Sequence, residues 1–135
     1  MSAIRKWGFG YFALFIGVIV VCLVPVFIDK DGYVFGLFKL DLYDHTLHLA
    51  SGLWAAIAAW RSRSASVQYF KIFGPLYFLD GVMGLITGSG YLDGGIFLYG
   101  PLDLDLTTRF FANLPHLLIG GGAAYIGYRL ARRTA

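Results

Sequence analysis

Four long stretches of the chain are mainly apolar, and each is about as long as a membrane-spanning helix. They cover residues 8–28, 43–60, 69–87 and 110–130. A helix needs about 20 mostly apolar residues to cross the hydrocarbon core of a bilayer. The first stretch contains no charged residue, and Pro25 is expected to kink its far end. The pattern predicts an all-α membrane protein in which residues 1–135 form one domain of four transmembrane helices.

The composition favours the same class of protein. Of the 135 residues, 58% are hydrophobic and only 14% are charged, whereas soluble domains have about 25% charged residues. These values argue against an ordinary soluble enzyme, a disordered chain and a nucleic-acid-binding module, and the single Cys22 argues against a disulfide scaffold. Arg5 and Lys6 resemble the start of a signal peptide. The apolar run after them is too long, however, and no small-residue cleavage site follows it, so we expect a retained helix.

The charged residues predict the orientation in the membrane. With four spans, both termini and the middle loop lie on one side. That side carries eight basic residues and no acid: Arg5, Lys6, Arg61, Arg63, Lys71, Arg129, Arg132 and Arg133. The other side carries Lys30, Lys39 and Arg109 together with every aspartate except Asp80, which lies inside the third span. Because cytoplasmic loops are enriched in Lys and Arg, we expect both termini to be cytoplasmic.

The two predicted outer loops resemble each other in sequence. Residues 36–42 and 100–106 both fit the pattern G-x-[FL]-x-L-D-L, and each precedes a helix that carries a histidine and, four residues later, a glycine. The chain is therefore interpreted as two tandem hairpins with a pseudo-two-fold axis along the membrane normal. The alternating pattern in these loops is compatible with a short strand, although a structured loop lying on the outer leaflet is favoured.

The histidine motifs resemble those of a known family. The fourth span contains N-x-x-H-x-x-x-G at Asn113, His116 and Gly120, and the second contains His48 and Gly52 in the same register, with His45 where the asparagine would stand. This pattern is similar to an uncharacterised bacterial family of small four-span membrane proteins. The resemblance covers about the last 90 residues of this chain. It implies a four-helix membrane fold in a bacterial inner membrane, and no activity.

His48 and His116 are the main candidates for cofactor ligands. Each lies about one turn inside the outer end of its helix, and two imidazoles at one depth in a helix bundle can hold haem b. A chlorophyll-type pigment bound by one histidine is a further alternative. Gly52 and Gly120 lie on the same helix faces as the histidines and would leave space for a macrocycle. Alternatively, these glycines allow close helix packing, and the histidines form hydrogen bonds between helices.

Asp80 and Asn113 are expected to support such a site. An ionisable residue inside a span indicates a function by default and needs a partner; for Asp80 we name His48 or His116. The carboxylate could orient a ligating imidazole, or form a hydrogen bond with a neighbouring helix without any cofactor. Asn113 could form a hydrogen bond across helices in either case.

A metal site at His45 and His48 is a weaker candidate. The two residues share a helix face, but zinc usually takes four ligands, and the chain has no glutamate and no second cysteine. His45 is therefore better explained as a residue at the membrane interface. Asp41 or Asp44 then lies near the helix N-terminus, where a negative charge is favoured.

With about 80 residues in lipid, no room is left for a soluble catalytic domain. The sequence predicts a non-enzymatic accessory or interaction subunit of a larger membrane complex. Its partners would be membrane lipids and other membrane-protein subunits, with no nucleic acid. The alternative is a redox or photosynthetic subunit that binds haem b or a chlorophyll-type pigment through His48 and His116.

Overall fold

The computed structural model describes residues 1–135 and is all-helical, as predicted. The helices are α1 (Ala3–Leu23), α2 (Leu42–Arg61), α3 (Arg63–Thr87), α4 (Gly95–Tyr99), α5 (Leu106–Tyr125) and α6 (Ala131–Arg133). A π-helical turn, Ile126–Leu130, joins α5 to α6. No strand forms, and the loop after α1 contains only two isolated β-bridges, Ile28 with Val34 and Val34 with Phe38.

The first helix ends before Pro25, so the predicted kink at that residue is wrong. Helix α1 stops at Leu23, Val24 is extended with ψ 120°, and Pro25–Phe27 form a 3-10 turn. A proline disfavours the helical conformation of the residue before it, and its ring collides with the carbonyl four residues earlier. The helix therefore ends at this point instead of bending.

The other helices follow the predicted spans with earlier starts. Helix α2 matches residues 43–60 to within one residue at each end. Helix α3 begins at Arg63 instead of residue 69, because Ser62 caps its first turn by accepting a hydrogen bond from the Ala65 amide at 3.0 Å. Helix α5 begins at Leu106 instead of residue 110. Short polar turns extend these helices beyond their apolar stretches.

Two helices, α1 with 21 residues and α3 with 25, are long and apolar enough to cross a membrane. Helices α2 and α5 have 20 residues each but do not reach the same hydropathy.

The chain divides into two compact units, Met1–Ser66 and Val67–Ala135. In the first unit, α1 and α2 form an antiparallel hairpin. A Cβ on Gly8 would lie 2.8 Å from the Cβ of Ala59, and a Cβ on Gly52 would lie 3.0 Å from that of Phe15. As the residue number rises along α1, the number of the facing residue falls along α2, so the two helices run antiparallel. Glycine is needed at both positions because the two helices lie so close together.

Both ends of α2 are capped. At its N-terminus, Asp41 and Asp44 form a reciprocal capping box, in which each carboxylate accepts the other residue's backbone amide at 3.0 and 2.9 Å. At its C-terminus, Arg5 of α1 donates from Nε to the Ala59 carbonyl at 2.6 Å and from a terminal nitrogen to the Trp60 carbonyl at 2.9 Å. The guanidinium thus satisfies carbonyls that have no partner within the helix.

In the second unit, α3 and α5 also run antiparallel with their backbones in close contact. Gly74 faces the backbone of Ala124, Gly120 faces that of Phe78, and Gly127 faces that of Lys71. Small residues at such crossings let two helices approach closely. This close approach sets the register in which the side chains of α3 meet those of α5.

Candidate functional site

Asp80 of α3 and His116 of α5 form a side-chain hydrogen bond between the two helices of the second unit. The Nδ1 atom of His116 lies 2.5 Å from Oδ2 of Asp80, and Asp80 is only 2% exposed. The helices are close at this level, since a Cβ on Gly81 would lie 3.0 Å from the Cβ of His116. The register set by the glycine crossings therefore brings together two residues that are 36 positions apart in sequence.

The second oxygen of Asp80 binds the loop that follows α3. Oδ1 accepts hydrogen bonds from the backbone amides of Tyr91 at 2.8 Å and Leu92 at 2.9 Å. Gly90 is required here because a Cβ would lie 2.6 Å from this same oxygen. With these two bonds and the imidazole, the buried carboxylate has three donors, which offsets the cost of removing it from water.

Tyr91 fastens the same loop to α3. Its phenol hydroxyl donates to the Leu76 carbonyl at 2.6 Å. Burial, and after it the negative charge of Asp80, raise the pKa of the Tyr91 phenol. The hydroxyl thus stays protonated as a donor at neutral pH.

The bond to Asp80 fixes the state of the His116 ring. An ionised carboxylate can only accept, so Nδ1 carries the hydrogen. In the neutral imidazole the lone pair is then on Nε2, and this atom makes no hydrogen bond. The His116 side chain is 24% exposed, whereas that of Asp80 is 3% exposed. The pair therefore orients Nε2, the atom that carries the lone pair in the neutral form of the ring.

An aromatic ladder along α3 ends on the His116 ring. Tyr69 stacks on Phe73 with ring centroids 5.0 Å apart, Phe73 stacks on Tyr77 at 4.9 Å, and Tyr77 stacks on His116 at 4.5 Å. The three α3 side chains are four residues apart, so they lie on one helix face, and each is at most 4% exposed. The ladder restrains the imidazole plane, while Asp80 restrains its rotation.

The other two histidines lie in the first unit. His48 is 5% exposed and stacks on Phe15 at a centroid distance of 5.9 Å. His45 has a buried Nδ1 without a hydrogen-bond partner. No group of three or more His, Cys, Asp or Glu in the chain is close enough to hold a metal ion. Because His48 and His116 belong to different units, a cofactor site made from both stays a prediction.

Three predicted supporting residues take part in helix packing. A Cβ on Gly52 would press against the Cβ of Phe15, and a Cβ on Gly120 would overlap the backbone of Phe78. Asn113 donates from Nδ2 to the Arg109 carbonyl at 2.8 Å, and its side chain contacts Gly84. These contacts agree with the packing alternative, and they fill the space at the two glycines that a macrocycle would need.

Sequence reasoning named Asp80 and His116 but missed what surrounds them. The four-residue spacing of Tyr69, Phe73 and Tyr77 is a sequence pattern that indicates an aromatic helix face. The amides of Tyr91 and Leu92 had no such signal, because a backbone donor leaves no mark in the sequence.

Comparison with protein-family models, with curated proteins and with solved structures finds no match to this chain. The resemblance to the small four-span family therefore remains an expectation from the motifs.

Proposed function

We propose that this chain is an integral membrane protein that spans the bacterial inner membrane four times and acts as a non-enzymatic accessory subunit of a larger complex. The observation that carries the proposal is the outward-facing apolar surface of its long helices. Only 17% of the apolar window of α1 and 39% of that of α3 is buried. A core helix of a soluble protein would be mostly buried, and large exposed apolar surfaces mark contact with lipid or protein.

The distribution of charge within each unit supports the orientation. In the first unit, the bonds from Arg5 to Ala59 and Trp60 place the start of α1 beside the end of α2. Arg5, Lys6, Arg61 and Arg63 thus share one end of that hairpin. The opposite end carries four aspartates, including the capping pair of α2, and only two basic residues, Lys30 and Lys39. This is the asymmetry expected when the basic end is cytoplasmic.

The second unit has the same asymmetry. Tyr128 donates to the Lys71 carbonyl at 3.2 Å, and the Lys71 ammonium lies 5.5 Å from the Tyr128 ring centroid. Lys71 therefore shares an end with the basic C-terminal residues Arg129, Arg132 and Arg133. The other end carries Asp93, Asp103 and Asp105, with Arg109 as its single basic residue. Both hairpins thus support a basic cytoplasmic end.

Single-cysteine labelling tests the topology. Cys22→Ser provides the background, to which Asp31→Cys or Asp103→Cys is added as an outer site, and Ser64→Cys or Thr134→Cys as a cytoplasmic site. A membrane-impermeant maleimide should label the outer pair in intact cells and the cytoplasmic pair only after permeabilisation. Equal labelling of Asp31→Cys and Ser64→Cys in intact cells would contradict the four-span orientation.

An exposed stripe on α2 is the surface that we propose for docking to a partner subunit. Leu49, Leu53, Ile57 and Trp60 follow one another at helical spacing and are 43, 45, 59 and 75% exposed. Large aromatic and apolar side chains are the usual anchors at protein interfaces. The role as a subunit predicts that the chain, extracted in mild detergent at native abundance, migrates as an assembly much larger than its 14.9 kDa.

Replacing Ile57 and Trp60 with alanine should reduce the amount of this assembly. Leu118→Ala is the matched control, because Leu118 is 65% exposed on α5. A monomer in the unmodified protein would contradict the role as a subunit, and would leave the labelling result on topology intact.

A further inference from the structure

We propose that the C-terminal half of α3 carries a binding site for one phospholipid molecule, with an acyl chain in the groove beside Tyr91 and the phosphate on the guanidinium of Arg109. This inference rests on the proposed insertion of α3 in the membrane, and it does not depend on the accessory role. It uses contacts within the second unit alone.

An open apolar groove runs along the C-terminal half of α3. Its volume is about 460 Å³, which lies within the usual range for ligand sites of about 300–1,000 Å³. Between its two ends the helix rises about 12 Å, compared with about 15 Å for the hydrocarbon thickness of one leaflet. The groove therefore has the length and the lining expected of a site for one acyl chain. The lining residues are Leu79, Val82, Met83, Ile86, Thr87 and Tyr91.

The two hydroxyl groups in the lining are already engaged. The Thr87 hydroxyl lies 2.9 Å from the Met83 carbonyl and 2.8 Å from the Ser89 carbonyl. The Tyr91 hydroxyl donates to the Leu76 carbonyl at 2.6 Å. A polar molecule in the groove would lose its hydrogen bonds to water without gaining new ones from these groups. The groove therefore suits an apolar occupant.

Tyr91 forms one wall of the groove and is held at both ends. Its backbone amide donates to Oδ1 of Asp80 at 2.8 Å, and its hydroxyl donates to the Leu76 carbonyl. The carboxylate that binds His116 thus also fixes this wall against α3. A wall fixed in this way keeps the groove formed before anything binds, which lowers the ordering cost of binding.

Arg109 of α5 places a cation at the end of the groove. One terminal nitrogen donates to the carbonyl of Ile86, a lining residue, at 3.0 Å, and the other donates to the Leu102 carbonyl at 3.4 Å. Both bonds are exposed, and neither partner is a carboxylate. Only two of the five N–H donors are used, and Nε has no hydrogen-bond partner. A guanidinium with donors to spare is well suited to bind a phosphate group.

The order of these features matches a phospholipid of the outer leaflet. The apolar groove begins at Leu79, and Arg109 lies at the end where α3 leaves the membrane in the proposed orientation. A phospholipid likewise has its chains in the hydrocarbon and its phosphate at the surface. A helix of a partner subunit would cover the same apolar side chains but brings no anion to this position. Charge complementarity therefore favours the lipid.

The test measures lipid binding to the full, delipidated chain in mild detergent by native mass spectrometry. The probes are dioleoylphosphatidylglycerol, dioleoylglycerol, which has the same chains without the phosphate, and inorganic phosphate. The phospholipid should bind as one equivalent and at least about tenfold more tightly than dioleoylglycerol, because a hydrogen bond between charged groups is lost in the latter. Inorganic phosphate at the same concentration should not displace the phospholipid, since it has no chain to fill the groove.

Two pairs of variants test the two parts of the site. Arg109→Gln should weaken binding of the phospholipid by about tenfold or more, whereas Lys30→Gln, which removes the same charge from an exposed residue on the same predicted side, should not. Leu79→Trp should fill the groove and weaken binding. Ile72→Trp is its matched control, because Ile72 is 51% exposed on α3, against 54% for Leu79, and lies outside the groove.

Arg109→Lys guards against a loss of binding that is caused by misfolding. Lysine keeps the charge but lacks the paired donors of the guanidinium, so its affinity should lie between those of the unmodified chain and Arg109→Gln when circular dichroism shows intact helices. A photoreactive benzoylphenylalanine in place of Leu79 then identifies the occupant in intact membranes. The adduct should be with a phospholipid.

Three results would overturn the proposal. They are equal affinities for the phospholipid and dioleoylglycerol, equal binding by Arg109→Gln and Lys30→Gln, and an adduct of residue 79 with another polypeptide. None of these would alter the cysteine-labelling result on topology. Binding in micelles does not depend on orientation, so a failure of the labelling test would in turn be distinguishable from a failure of this proposal.

Discussion

Gly120→Ala should destabilise the second unit, whereas the same change at the next residue should not. An alanine Cβ at position 120 would overlap the Phe78 amide nitrogen and would lie 2.7 Å from the Phe78 Cα and 2.8 Å from the Tyr77 carbonyl carbon. All three are backbone atoms, so no side chain can move aside. Because carbon atoms prefer separations of about 3.5–4.0 Å, α3 and α5 must separate by about 1 Å at this crossing.

The change in the free energy of unfolding caused by Gly120→Ala has three contributions. Overpacking costs about 1–3 kcal/mol. A separation of 1 Å, one turn from His116, would also stretch the 2.5 Å bond to Asp80 to the limit of a hydrogen bond. Its loss costs about 1.5–3 kcal/mol because one partner is charged. Because alanine has a higher helix propensity than glycine, the substitution offsets about 1 kcal/mol of this loss. The expected net loss is about 1.5–5 kcal/mol.

Gly121→Ala is the matched control. A Cβ there would lie 3.7 and 3.9 Å from ring atoms of Phe78, which is ordinary van der Waals contact. It should leave stability unchanged or raise it by up to about 1 kcal/mol. The assay is reversible unfolding in mixed micelles, with the fraction of denaturing detergent as the variable and circular dichroism as the signal. Free energies of unfolding that agree within about 0.5 kcal/mol for the two variants would refute the close-packing argument.

Three further predictions concern the polar anchors. Asp80→Ala should speed amide hydrogen exchange at Tyr91 and Leu92, because both amides lose their acceptor. The Leu102 amide, which donates to the Thr87 carbonyl, should keep its protection. Equal exchange rates at Tyr91 and Leu92 before and after the change would contradict the anchoring role. Arg5→Ala should cost about 1–3 kcal/mol by leaving the last carbonyls of α2 without a partner, and unfolding measurements should find Arg5→Lys intermediate. Asp41→Ala should cost about 0.5–2 kcal/mol through loss of the N-cap, seen as fraying of the first turn of α2 by hydrogen exchange, whereas a fully protected first turn would argue against the capping box.

The sequence predicted features that depend on neighbouring residues. The all-helical class and the bounds of α2 follow from runs of apolar residues, which are read one helix at a time. The role of Asp41 and Asp44 at the start of α2 follows from the affinity of helix N-termini for negative charge. The end of α1 is also set by a nearby residue, Pro25. The prediction there was wrong because Pro25 was expected to bend the helix, whereas the helix ends at Leu23.

The tertiary structure decided which distant residues meet. Sequence alone left Asp80 with two possible histidine partners, and it left Gly120 with two possible roles. The α3–α5 register assigns Asp80 to His116, and it places the Phe78 backbone where a side chain at Gly120 would be. Such outcomes depend on how closely two helices approach and how far they slide along each other. These are properties of the packed pair, and no local pattern in either helix contains them.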